Sequence, residues 1–168
     1  MKISFLKKLS LAAVFCLAFF FAGCAAAPCC KNSQESQKTQ DFSVVKERVW
    51  QLVQARDSAG SVTFDGSRLD MTKFGDIYTL QFSDTLASGK AAPNRYTAPY
   101  ALGKGDAISF KPAASTMMFG IHTPEGLSET EFFKLLDKIY RWSFEKEMLS
   151  LYASDGSTLI FKEFDYRK

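Results

Sequence analysis

Among the side chains whose type and spacing bear on chemistry, one cysteine stands in a recognisable motif. Phe21-Ala22-Gly23-Cys24 reads as a lipobox, the signal cut by lipoprotein signal peptidase. The small residues Ala22 and Gly23 let the chain enter the peptidase, and the Cys24 thiol accepts a diacylglycerol and becomes the new N-terminus. A leucine is more usual where Phe21 stands. The chain has a single histidine, His122, in Gly120-Ile121-His122-Thr123-Pro124-Glu125-Gly126. A hydrolytic triad needs a histidine beside a nucleophile and an orienting acid. Ser115, Ser128 and Asp106 are available, but no Gly-x-Ser-x-Gly elbow frames a nucleophile. His122 therefore reads as a surface residue of a loop. One histidine and scattered carboxylates offer no metal-ligand spacing, and no glycine-rich phosphate loop is present. The sequence thus predicts no enzyme, no catalytic residue, no cofactor and no metal site.

The segments around Cys24 fit an exported, anchored chain. Residues 1–23 begin with Lys2, Lys7 and Lys8, continue through an apolar run from Leu9 to Phe21 and end on small residues, as a bacterial signal peptide does. The run of about a dozen residues is too short for a bilayer core of roughly 30 Å. Residues 24–43 are rich in Gln and Ser and nearly free of large apolar groups, so they read as a flexible tether. Cys16 leaves with the signal peptide. Cys29 and Cys30 sit in the tether, where a bridge between neighbours would close almost no loop. Two or three acyl chains on Cys24 would hold the chain at a membrane firmly. The residue after Cys24 is Ala25 and not an inner-membrane retention Asp. In bacteria that sort by that rule, this favours the outer membrane of the cell envelope.

Charge agrees with this division. The whole chain carries 21 basic and 18 acidic residues, a net charge of +3. All of the excess lies in the three lysines of the signal peptide, which leaves 18 of each sign in the remainder. A balanced domain excludes nucleic-acid binding by bulk electrostatics.

Residues 44–168 form the one folded domain, and strand signals dominate it. Trp50 and Leu52 alternate with Gln51 and Val53; Tyr78, Leu80 and Phe82 alternate with Thr79 and Gln81. Tyr96, Ala98, Tyr100 and Leu102 share a face, and Ile108 and Phe110 follow a Gly103–Asp106 turn. This period of two predicts an antiparallel sheet with one buried face. Gly89, Pro93, Pro99 and Pro112 are read as joints. The period changes at Ser128 and Glu131, which have capping-box spacing. Phe132, Leu135, Leu136, Ile139 and Tyr140 then recur as in an amphipathic helix of about thirteen residues. Strands return at Trp142–Glu145, Met148–Ala153 and, after an Asp155-Gly156 turn, Thr158–Phe164. For Asp57–Asp76 the sequence suggests a hairpin turn at Asp65-Gly66 and leaves Arg68–Phe74 open between strand and loop.

In this order the features resemble the META/HslJ-like family of small bacterial envelope domains, many of them lipoproteins. The matching pieces are Trp50-x-Leu52, Tyr78–Phe82, Asn94-Arg95-Tyr96 with Tyr100, Thr116-x-Met118, the helix with Phe132 and Leu136, Leu149-x-Leu151, and Asp155-Gly156 leading to Leu159-x-Phe161. They span Arg48 to Phe164. The resemblance implies an α+β, mostly β fold, an open barrel-like antiparallel sheet packed against one main helix. It carries no catalytic residues over. Its members are associated with stress tolerance, motility or secretion, and the fold is similar to that of secretin-pilot lipoproteins, which bind lipid and a partner's tail. Many relatives have cysteines where Pro93 and Gly120 stand here, so a family-like disulfide is absent. Asp57–Asp76 looks like an insertion or a divergent stretch.

The aromatic load remains to be placed. Five of sixteen phenylalanines fall in the signal peptide, which leaves eleven with six tyrosines and two tryptophans. Core packing between helix and sheet accounts for them; an apolar cleft at an open barrel mouth is the sharper alternative. Asn94, Arg95, Tyr96 and Tyr100 form the candidate binding surface. Met117-Met118-Phe119 reads as a buried plug, with lining the cleft as its alternative. The expected partners are the membrane, through lipid on Cys24, and an envelope protein, or else a lipid or small hydrophobic ligand in the cleft.

Overall fold

A computed structural model describes residues 40–118, 120 and 124–164. Cys24, Cys29, Cys30, Phe119 and His122 lie outside the described residues, as do the signal peptide and nearly all of the tether.

The alternating segments become ten antiparallel strands: β1 (Val49–Arg56), β2 (Val62–Asp65), β3 (Thr79–Phe82), β4 (Leu86–Lys90), β5 (Arg95–Leu102), β6 (Ile108–Phe110), β7 (Ala114–Ser115), β8 (Ile139–Glu145), β9 (Met148–Ala153) and β10 (Thr158–Glu163). Eight run in the order β6-β5-β4-β3-β1-β10-β9-β8. The two ends of that path meet, because Ala107 bridges Arg141 and the Trp142 N–H donates to the Asp106 carbonyl at 2.9 Å. The result is a nearly closed barrel, α+β and mostly β, as the sequence implies.

Inward residues are those the period of two selects: Trp50 and Leu52, Leu80 and Phe82, Tyr96, Ala98 and Tyr100, Leu149 and Leu151, Leu159 and Phe161. Burying each large side chain contributes about 1.5–3 kcal/mol, so the alternation by itself fixes which face turns inward. A register shift between Leu52 and Gln54 resets β1, and Ala55 becomes the next buried position. The split lets one strand serve two neighbours, with Val49–Gln51 paired to β3 and Gln54–Arg56 to β2.

Both ends of the barrel are stoppered. At one end a short 3₁₀ turn, Phe42–Val45, drives Phe42 against Phe82, Tyr100 and Trp142, with ring centres 5.0, 5.7 and 4.9 Å away. At the other end lies the helix α2 (Glu129–Leu136), whose Phe132 meets Tyr78 and Tyr96 at 5.1 and 5.7 Å. Ser128 and Glu131 form the expected capping box.

Several expectations are corrected. The helix ends at Leu136, and Ile139 and Tyr140 belong to β8, where Ile139 and Trp142 face inward while Tyr140 is exposed. β-Branched and aromatic residues suit a pleated strand better than a helix end. The hairpin turn lies at Asp57–Gly60, where the Asp57 carboxylate accepts from the Ala59 and Ser61 N–H groups. Asp65-Gly66 instead opens a 3₁₀ turn, and Met71–Phe74 is a single helical turn, α1, so Arg68–Phe74 is neither strand nor plain loop. Gly89 lies inside β4 and not at a joint: a Cβ there would collide with the Thr79 carbonyl and come within 3.1 Å of the Tyr96 ring. Pro99 lies inside β5. Its carbonyl accepts from the Lys111 N–H at 2.8 Å, just past the end of β6, so the donor it lacks falls where the ladder stops. Leu102, at the rim beside the Gly103 turn, is exposed.

Candidate interaction site

Three of the four residues expected on a binding surface point inward. Asn94 is 6% exposed, Tyr96 2% and Tyr100 8%, while Arg95 between them is exposed. The correction follows from strand parity. Tyr96 and Tyr100 occupy the core-facing phase of β5, and their polar tips are spent on the backbone. The Tyr96 hydroxyl donates to the Thr79 carbonyl at 2.9 Å and that of Tyr100 to the Ser83 carbonyl at 2.6 Å. Burial raises both phenols above their ordinary pKa. Tyr78 behaves alike: it donates to the Leu127 carbonyl, and burial, then the charges of Glu129 and Glu131, raise its pKa.

Asn94 is the polar hub. Its side-chain oxygen accepts from the Met118 N–H at 2.6 Å and the Thr116 hydroxyl at 2.9 Å. Its side-chain nitrogen donates to the Met118 carbonyl at 3.2 Å and to Glu129 Oε1 at 2.9 Å, while the Asn94 backbone N–H donates to Glu129 Oε2 at 3.0 Å. The carboxamide thus mimics a strand residue. It continues the β5–β7 pairing onto Met118, and Glu129 ties that clamp to the first turn of α2. Sequence reasoning missed Glu129 and Thr116 as partners; the acid in the first turn of a capped helix was the available signal.

The clamp has an outward consequence. Met117 is 90% exposed and Met118 58%, so the methionines are no buried plug. They stand on an ordered backbone beyond the α2 end of the barrel. Tyr78, near α2, leads into β3, which ends at Phe82 near Phe42, and β5 passes from Tyr96 to Tyr100 in the same sense. Phe42 therefore marks one end of the barrel, and Met117 projects from the opposite one. Gly120 sits against Pro93, where a Cβ at Gly120 would lie 3.4 Å from Pro93 Cβ. The two positions at which the family resemblance implies cysteines are thus neighbours here, joined by packing.

A groove of about 530 Å³ lies between β2, α1 and the Glu125-Gly126 turn and mixes Asp65, Arg68, Asp70 and Glu125 with Leu69 and Phe74. Among the described residues no three His, Cys, Asp or Glu side chains are placed to hold a metal ion. Arg141 stacks over the Tyr152 ring at 4.2 Å on the outer face of the sheet.

Fold and hub define a small antiparallel barrel domain with one main helix and a plugged interior. Residues 43–166 match the family model described as META domain, and the chain belongs to that family. Among solved structures it is similar to a protein from Burkholderia xenovorans determined by NMR. That likeness has 25% identity and a TM-score of 0.59 and covers 73% of this chain and 86% of that one. It is also similar in fold to a DUF4847 family protein from Bacteroides vulgatus, with 15% identity, a TM-score of 0.51 and coverage of 74% of this chain and 99% of the other. No curated protein matches the chain.

Proposed function

We propose that this protein is a non-catalytic lipoprotein of the bacterial envelope, held at a membrane by lipid on Cys24, and that its META domain acts by binding another envelope protein. A role in stress tolerance fits that reading. The observation that carries it is the occupancy of the barrel. Phe42, Phe82, Tyr100, Phe110 and Trp142 pack against one another within it, leaving side chains where a carried acyl chain would lie. The deep hydroxyls are consumed by backbone carbonyls, and the Asn94 amide by the clamp. Polar groups engaged in this way hold structure together and are not poised for proton transfer. What the domain offers to others is therefore its surface.

The test is gentle crosslinking in cells that express the full chain, followed by its purification from membranes. The reading expects one reproducible protein adduct in the membrane fraction, lost when Cys24→Ala releases the chain. Recovery of the chain alone would contradict it.

A further inference from the structure

Two backbone edges of the sheet, towards opposite ends of the barrel, are treated differently. At β8, Gln40 covers the backbone of Phe144: its side-chain amide donates to the Phe144 carbonyl at 2.7 Å and accepts from the Phe144 N–H at 2.8 Å. Among the described residues β7 has no such cover. Thr116 gives its N–H to the Arg95 carbonyl, and Met118 gives both backbone groups to Asn94. By strand parity the N–H and C=O of Ser115 and Met117 then point away from β5, and among the described residues nothing pairs with them. The stretch 112–118 contains no charged residue, and Met117 is the most exposed large hydrophobic side chain among the described residues. Proteins ordinarily guard a free edge with charge, a bulge or a covering segment. This edge is instead held rigid by the Asn94 clamp and left open.

We infer that the β7 edge, from Ala113 to Met117, is a docking site for an extended segment of a partner protein, which adds to the sheet as a further strand. The inference deepens the protein-binding reading above and rests on it. The unpaired backbone groups select an extended backbone, and Met117 supplies an apolar anchor for side chains at alternate positions. The flanking charge selects the sign. Lys111 lies four positions before Ser115, and Arg95 lies opposite Thr116. Both are exposed, and neither forms an ion pair among the described residues. The segment that fits alternates apolar residues with carboxylates. The edge lies at the α2 end of the barrel, opposite Phe42.

The probe is an acetylated, amidated peptide of about eight alternating valine and glutamate residues, the usual length of a strand, added to the full chain in non-ionic detergent. The acidic peptide should bind and slow amide exchange at Ser115 and Met117, and a lysine counterpart should bind at least about tenfold more weakly. Ser115→Pro removes an N–H that β5 does not use, so it should leave the melting temperature unchanged and weaken peptide binding about tenfold. The double change Arg95→Glu with Lys111→Glu should reverse the preference between the two peptides. No binding, protection elsewhere on the chain, or Ser115→Pro binding as tightly as the unaltered chain would each overturn the assignment. A crosslinked partner that Ser115→Pro still recovers would sink the edge and leave the protein-binding reading standing. Peptide binding at the edge with no partner in cells would sink that reading alone.

Discussion

Replacing Asn94 by alanine removes one side chain and four hydrogen bonds, to Thr116, to both backbone groups of Met118 and to Glu129. A neutral hydrogen bond contributes about 1 kcal/mol net and one to a charged group about 1.5–3 kcal/mol. Simple addition would exceed 4 kcal/mol. Thr116 and Met118 are exposed, however, so water will satisfy much of what they lose. Glu129, half-buried, will not recover fully. We expect a loss of about 2–4 kcal/mol, or roughly 10 °C in melting temperature for a domain of this size. Asn94→Asp keeps the acceptor and the shape but sets a carboxylate against the Met118 carbonyl and Glu129. At neutral pH it should be at least as damaging as alanine. The folded state raises the pKa of the new carboxyl, so the stability lost at neutral pH should return as pH falls through the ordinary carboxylate range. The assay is urea unfolding followed by tryptophan fluorescence from pH 7 down to pH 4, with amide exchange at Met118 as the local readout. A cost below about 0.5 kcal/mol for Asn94→Ala, or an Asn94→Asp variant insensitive to acid, would refute the clamp.

Three further outcomes follow from the same geometry. Phe42→Ala opens a cavity against three aromatic rings, and a loss of about 3–4 kcal/mol with a weakened near-UV dichroism signal is expected. Asp155 is held at a pKa of about 2 by the Lys138 ammonium and the Ser157 N–H, below its ordinary 3.8. Its stabilising contribution is therefore present at neutral pH and lost as pH falls from about 4 towards 2; Asp155→Asn should flatten the unfolding profile across that window. The pair Pro93→Cys with Gly120→Cys brings two Cβ atoms within disulfide range, so mass spectrometry after mild oxidation should find the two joined, where reduced thiols would contradict the contact.

Much of the barrel was legible because burial on one face of a strand repeats every second residue. β9 falls on the Met148–Ala153 segment read from the sequence, and the inward faces of β3 and of most of β5 follow the pattern. Where the structure departs, long-range contacts override local pattern. Ile139 and Tyr140 fit a helical spacing, yet pairing with β9 claims them for β8. Gly89 resembles a turn residue, but it answers a close approach by the Thr79 carbonyl, which no local signal announces. The site was least legible. Asn94, Tyr96 and Tyr100 look like a mixed polar and aromatic surface; the alternation of β5 already turns both tyrosines inward, whereas Asn94 is claimed by Thr116, Met118 and Glu129, distant segments that no local pattern announces. Met117 fails in the opposite sense, since hydrophobicity predicts burial and the clamp holds it out in solvent.

The central claim joins a lipid anchor to a filled barrel, and native mass spectrometry of the chain extracted from membranes tests both at once. The account predicts a mass that lacks residues 1–23, carries covalent acyl groups on Cys24 and shows no further small molecule bound. A chain that retains residues 1–23, or one that carries a displaceable fatty acid besides its covalent lipid, would contradict it.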